Sequence, residues 1–259
     1  MYHLGGRTFL GLSVLTFLGL SMMAGPIYAT PPESPAISTY APAEDLVAQF
    51  DYYLERLQSA VATEAEYKDV TDRVVKDAST IVLIALGLGL HDSPNKYKAQ
   101  APAMVAAARK LVAATDYAST KAAVDALASA AKGSGASGSL KWDKVASLKA
   151  LMEQVPLINS RIKRYMRRFE RESATIAGDA AAIAIISQGS LYNVDETEKA
   201  DEVQKWYDAC IQMRDAAAAL NKAARAKDLN AANEALKALA KSCDDCHIVF
   251  HPEALGKEL

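Results

Sequence analysis

The sequence predicts an all-α fold of two tandem up-and-down four-helix bundles, and three observations carry that reading. Apolar residues recur at three- and four-residue spacings from Ala43 almost to the C-terminus. Alanine is abundant and glycine and proline are sparse outside a few points, which favours helices. The run Gly133-Ser134-Gly135-Ala136-Ser137-Gly138-Ser139 reads as a flexible linker between two halves, each with four helical stretches.

Taken in order, Met1 to Arg7 carries one basic residue, an apolar run follows to Gly25, and Pro26-Ile27-Tyr28-Ala29 ends in a small residue. This reads as a secretory signal over 1–29, cleaved after Ala29, and predicts a periplasmic protein. The apolar run is near the length of a membrane span, so a retained signal would act as a membrane tether. Residues 30–42, with Pro31, Pro32, Pro35 and Pro42, read as an extended tether. In the first bundle, 43–132, Leu46, Val47, Phe50, Tyr53, Leu54 and Leu57 form one buried stripe. Further helices are predicted over 67–90, 96–116 and 119–132. The linker 133–139 leads to the second unit, 140–259, with helices over 142–166, 172–191, 196–226 and 229–251. Pro156 should kink the first of these or end its first segment near Val155.

The halves read as a duplication. Lys121 to Lys132 laid on Asn230 to Lys241 gives six identities in twelve, at an offset of 109. Leu46 to Leu57 matches Lys144 to Val155 at an offset of 98, and Asp77 to Leu86 matches Asp179 to Gln188 at 102. The offset grows in one direction, as small insertions in the second copy would produce. Ser134, Ser137 and Gly138 then stand opposite Cys243, Cys246 and His247, so the first bundle would lack whatever chemistry those three side chains carry.

Chemistry concentrates in Cys243-Asp244-Asp245-Cys246-His247, the spacing of a c-type haem attachment site. On a helix these three side chains share one face, so both thiols can bond one porphyrin while His247 reaches the iron. A thioredoxin-like dithiol would need a βαβ context, and a zinc site would need a second ligand pair. Cys210 is the one remaining cysteine, which rules out a disulfide framework and leaves packing as its role.

The stretch from Lys227-Asp228-Leu229 through Ser242-Cys243-Asp244-Asp245-Cys246-His247-Ile248-Val249-Phe250 resembles the cytochrome c′ class of four-helix-bundle c-type cytochromes. The shared features are a short turn before the last helix, the haem motif at that helix's end and an aromatic three residues beyond the histidine. The resemblance covers residues 140–252, and reaches the first half only through the repeat. It implies one covalent haem c, thioether bonds from Cys243 and Cys246, and His247 as proximal iron ligand. It further implies a distal residue at Leu151 or Met152 on the second copy's first helix. Met152 sulfur on the iron would suit electron transfer. Leu151 capping the haem would leave an open position for a small gas such as nitric oxide. The family usually carries Arg or Lys four residues after the ligand, where this chain has His251, read as a helix-end histidine. His91 reads as a solvated loop histidine.

These readings point to a mono-haem electron carrier rather than an enzyme, with gas binding, or service as the interaction subunit of a larger redox complex, as alternatives. Arg161, Lys163, Arg164, Arg167, Arg168 and Arg171 form a dense positive run, read as a solvated face, or as a dock for acidic redox partner proteins or a balance for haem propionates. Net charge of −2 gives no reason to expect nucleic acid, and a homodimer is compatible with the pattern. The sequence contains no phosphate loop, Ser/His/Asp set or paired-histidine metal helix.

Overall fold

The computed structural model describes residues 1–3, 30–135 and 137–255. The predicted signal, apart from its first three residues, lies outside the described residues, as do Ala136 of the linker and the last four residues of the second unit. The fold is all-α. The described residues form eight α-helices, α1 (Ala43–Ala60), α2 (Glu64–Leu90), α3 (Ala101–Val112), α4 (Tyr117–Lys132), α5 (Leu148–Met166), α6 (Phe169–Ser190), α7 (Val203–Arg225) and α8 (Leu229–Phe250).

Local chemistry sets the helix starts. Thr63 accepts from the Glu66 amide at 3.2 Å to begin α2, and Asp116 and Ser119 form a reciprocal capping box on α4. Ser147 caps α5 through the Ala150 amide, which moves its start six residues past the predicted one. α3 begins at Ala101 rather than residue 96, because Asn95 ties the preceding turn to the Leu88 carbonyl and the Tyr97 amide. Pro102 then suits the helix's second position. α5 continues through Pro156 to Met166, and the missing Pro156 N–H leaves the Met152 carbonyl without its in-helix donor.

Two expectations change. The second half of the Pro-rich segment is docked rather than extended away, with Ile37, Tyr40 and Ala41 buried and the Ser38 amide donating to Asp92 at 2.9 Å. His91 is buried, not solvated. Its Nε2 lies 3.1 Å from the Ala41 carbonyl and its Nδ1 accepts from the Ser93 amide at 2.9 Å, so each ring nitrogen has a partner.

Within 43–132 each helix packs on the next, and α1 also meets α4. Within 148–250 the chain-order pairs pack likewise, but α5 and α8 are not a closely packed pair. The two sets meet through α1 on α6, α2 on α5 and α2 on α6, and one hydrophobic core runs through both. The crossing of α2 and α6 is reciprocal. A Cβ on Gly87 would lie 2.8 Å from Ile185 Cδ1, and a Cβ on Gly189 would lie 2.4 Å from Leu83 Cδ2. Both glycines let the other helix's side chain sit against backbone.

Ion pairs repeat the same scheme. Arg56 of α1 grips Asp77 of α2 at 3.0 and 3.2 Å, and Arg161 of α5 grips Asp179 of α6 at 2.7 and 2.5 Å. The Tyr52 hydroxyl accepts from Arg56 at 2.9 Å and from Arg161 at 2.8 Å, joining the two pairs. Burial pushes both carboxyls up against the pull of their arginines. Asp77 and Asp179, like Gly87 and Gly189, are 102 residues apart, the offset read from the sequence. Arg56 and Arg161 are 105 apart, as are Gln49 and Gln154, whereas sequence alignment of these helices took 98. The slip of seven residues is two helical turns, which leaves the apolar face in register.

The α2/α6 crossing gives a direct test. Gly189→Ala should destabilise the fold by about 1–3 kcal/mol, since Leu83 is fully packed and has little room to yield. Urea unfolding followed by far-UV circular dichroism would read it, and an unchanged midpoint would show that the approach is looser than described.

Candidate functional site

The last helix is built to hold its end in place. α7 stops where Lys227 adopts φ +54, and the Asp228 amide donates back to the Ala223 carbonyl at 3.0 Å. Asp228 then caps α8 through the Ala231 amide at 3.0 Å. Ala232, Ala235, Leu239 and Ser242 form the buried stripe of α8, which runs on into Cys246 and Phe250. Phe250 packs edge-on against Trp206 with ring centroids 5.3 Å apart, and Trp206 Nε1 donates to the Ser190 carbonyl at 2.9 Å. This small cluster, with Cys210 inside it and Cys246 against it, fixes the end of α8 on α7.

Cys243, Cys246 and His247 line one cleft between α8, α7 and α5. The α7 wall is Trp206, Ala209, Cys210 and Met213, and the α5 wall is Met152, Val155, Pro156 and Asn159. Of the two candidate distal residues, Met152 faces this cleft, whereas Leu151 is buried in the main core and is not among the lining residues. Trp206, Cys210, Met213 and Asn159 were not picked out as site residues from the sequence. The signal was spacing: Trp206, Cys210 and Met213 fall on one stripe of α7, and Asn159 stands two turns along α5 from Met152.

The cleft's electrostatics are those of neutral groups. Burial raises the pKa of Cys243 and lifts that of Cys246 to about 11, so both are thiols at neutral pH. Burial also holds Cys210 far above the usual thiol range. Burial lowers the His247 pKa, the adjacent His251 acts in the same direction, and Asp244 and Glu253 oppose them. The His247 and His251 rings sit 5.7 Å apart, with His251 Nδ1 2.7 Å from Glu253 Oε1 on the exposed side. The Asn159 amide is buried, lines the cleft and leaves its Oδ1 unpaired.

This donor set fits a covalently held haem, with two thiols and a neutral imidazole on one turn of helix, facing largely apolar walls. The cleft's free volume of about 60 Å³ is below the ~300 Å³ at which ligand pockets begin. Admission of a macrocycle therefore requires α5 and α8 to part, and they are the neighbours not closely packed. Among the described residues no group of three His, Cys, Asp or Glu side chains is gathered to hold a bare metal ion.

Thiol labelling checks this arrangement in protein produced without haem. Alkylation of Cys246 by iodoacetamide should climb with pH without levelling until about 11, because the reactive thiolate is the minor form below that value. Cys210 should stay unlabelled until the protein unfolds. Peptide mass spectrometry after timed quenching separates the three sites, and native-state labelling of Cys210 would contradict its burial. No family model, curated protein or solved structure matches this chain.

Proposed function

We propose that this chain is an exported mono-haem c-type cytochrome of the cytochrome c′ type that works in electron transfer. Cys243 and Cys246 hold the haem by thioethers and His247 is its proximal ligand. The observation that carries the reading is the coincidence of two features: the haem motif faces a gap where the packing scheme of the first half is not repeated. α1 and α4 pack together, while their counterparts α5 and α8 flank the cleft.

The same comparison supports two tandem bundles, the first haemless. The reciprocal glycine contacts and the matched arginine–aspartate pairs are what two copies facing each other across a pseudo-twofold axis would make. Aligned on their caps, Asp116 and Asp228, α4 and α8 are 112 residues apart. Ala131, Ser134 and Gly135 then stand opposite Cys243, Cys246 and His247, a register three residues from the one aligned by sequence. α4 has already ended at Lys132, so no helical turn exists there to present ligands.

When bound, haem iron supplies one-electron chemistry, and its axial ligands and shell set the potential. The chain's part is to hold the group on a fixed helix end, keep His247 neutral with its lone pair available, and exclude water with Val155, Pro156 and Trp206. Met152 offers a thioether from the opposite wall. Asn159 favours the alternative, a five-coordinate site for a small gas, because its side chain lines the cleft and its Nδ2 amide is a donor that could reach a bound diatomic.

Acid–acetone extraction of the exported protein should leave the colour on the chain, and Cys243→Ser or Cys246→Ser should weaken retention. Colour that leaves with the solvent would sink the covalent assignment. Met152→Leu should convert a low-spin ferrous spectrum to a high-spin one that takes up carbon monoxide. A parent already high-spin and reactive to carbon monoxide, with the variant unchanged, would hand the function to gas binding.

A further inference from the structure

The corner between α5 and α6 carries the densest charge on the molecule. Lys163, Arg164, Arg167, Arg168 and Arg171 are all exposed, with Glu170 the one exposed acid among them. Buried Ile162 and Phe169 anchor the corner from beneath, so the cations project outwards. Arg171 pairs with Glu172 at 2.9 Å, whereas Arg167 and Arg168 form no ion pair among the described residues.

A merely solvated face does not account for this placement. Lys163, Arg164 and Arg167 stand at the C-terminus of α5, where the helix dipole favours cations, but Arg168 and Arg171 stand at the N-terminus of α6, whose dipole is already positive there. Helix electrostatics therefore account for the first three cations and oppose the other two. The patch is also continuous with the cleft. Asn159, Lys163 and Arg167 follow one another at four-residue steps along α5, and Asn159 lines the cleft wall. Lys163 is near enough to Cys243 for its charge to act on that thiol.

We infer that this corner is the docking surface for an acidic face of a redox partner protein, placed where electrons would leave the cleft. The inference rests on the cytochrome reading above. Charge decides between a compact acidic face and a broad anionic membrane. The whole chain is net −2, so an extended anionic surface meets no net attraction, while a small acidic patch can engage the corner alone.

The test uses the full haem-loaded chain, the variant R167E/R168E, and K110E/K132E as an equal charge change at exposed lysines of the first half. Oxidation of the reduced protein by hexacyanoferrate(III), an anion, should slow roughly tenfold in R167E/R168E at low ionic strength and less than twofold in K110E/K132E. Oxidation by the cation tris(phenanthroline)cobalt(III) should quicken in R167E/R168E. A fluorescent deca-glutamate peptide, read by anisotropy, should bind the parent and the control but not R167E/R168E, with or without haem. Equal effects of the two variants would overturn the inference, since net charge alone would then explain them. It would be overturned too by phosphatidylglycerol vesicles that bind the parent and release R167E/R168E while the peptide does not discriminate. A colourless protein would defeat the cytochrome reading, and the peptide measurement would still decide whether the corner recognises acidic chains.

Discussion

The fold depends on two helical stretches with no face left for water. α6 is buried without interruption from Ile176 to Ser190, and the C-terminal half of α2 from Asp77 to Leu88, while the first half of α2 keeps a face to solvent. A helix that is apolar all round must be surrounded. α6 is also long and apolar enough to cross a membrane by length and composition, yet nearly nine-tenths of that stretch is packed inside the fold. The two helices meet through Gly87 and Gly189, and the others cover what remains, α1 and α3 on α2, α5 and α7 on α6. The crossing also decides where polar groups can go. Asp77 and Asp179 lie two to three turns before it on their helices, and each is tolerable because a guanidinium from the neighbouring helix takes both of its oxygens.

A central pair so fully occupied leaves function to the periphery. α8 touches the core chiefly through α7, which is itself pinned to the first half where Arg225 and Asn221 hold Asp45 of α1. α5 is held by Arg161 on Asp179 and by Gln154 on the Tyr53 hydroxyl, contacts that draw it towards the centre and away from α8. The cleft is what this arrangement leaves between them. In the first half Tyr67 of α2 and Tyr117 of α4 lie 5.7 Å apart, and Thr120 bonds the Tyr67 hydroxyl. Those contacts tie α4 to α2, whereas their counterparts α8 and α6 are not a closely packed pair among the described residues.

Helices were legible in the sequence because apolar spacing and alanine content speak for each segment alone, and six of the seven helix ends read from local signals fall within a residue of the observed ones. The register between halves was less legible. Alanine-rich helices shifted by a turn or two keep the same face towards the core, so identities cannot choose between neighbouring alignments. Arg56, Asp77, Arg161 and Asp179 choose, but only once their pairing is seen. The shared core was hidden for a related reason: a Gly/Ser linker reports local flexibility, and the apolar surplus of α2 and α6 that binds the halves was legible only as hydrophobic helix. At the site, the motif on α8 was plain from spacing, and Met152 was one of two candidates that differ by a rotation of about 100° on the helix. The α7 wall was invisible because Trp206, Cys210 and Met213 look like ordinary core positions until α8 is laid beside them.

The buried amides show why the cleft stands apart from the rest of the interior. Gln49, Gln154 and Gln188 each leave one side-chain atom unpaired, but each uses its other end, on Asp179, Tyr53 and Arg214 respectively. Their unmet atoms are the remainder of a bond that fixes a helix contact. Asn159 is buried and lines the cleft, and its Oδ1 has no hydrogen-bond partner among the described residues. Burying such a group without a partner costs about 1–3 kcal/mol, and an apolar residue of similar size would remove the cost. An amide there, on a wall of the same cleft as two thiols and an imidazole, is hard to explain by packing. Its unpaired oxygen is an acceptor left facing the interior on a wall of the cleft, an observation that does not depend on the cysteine motif.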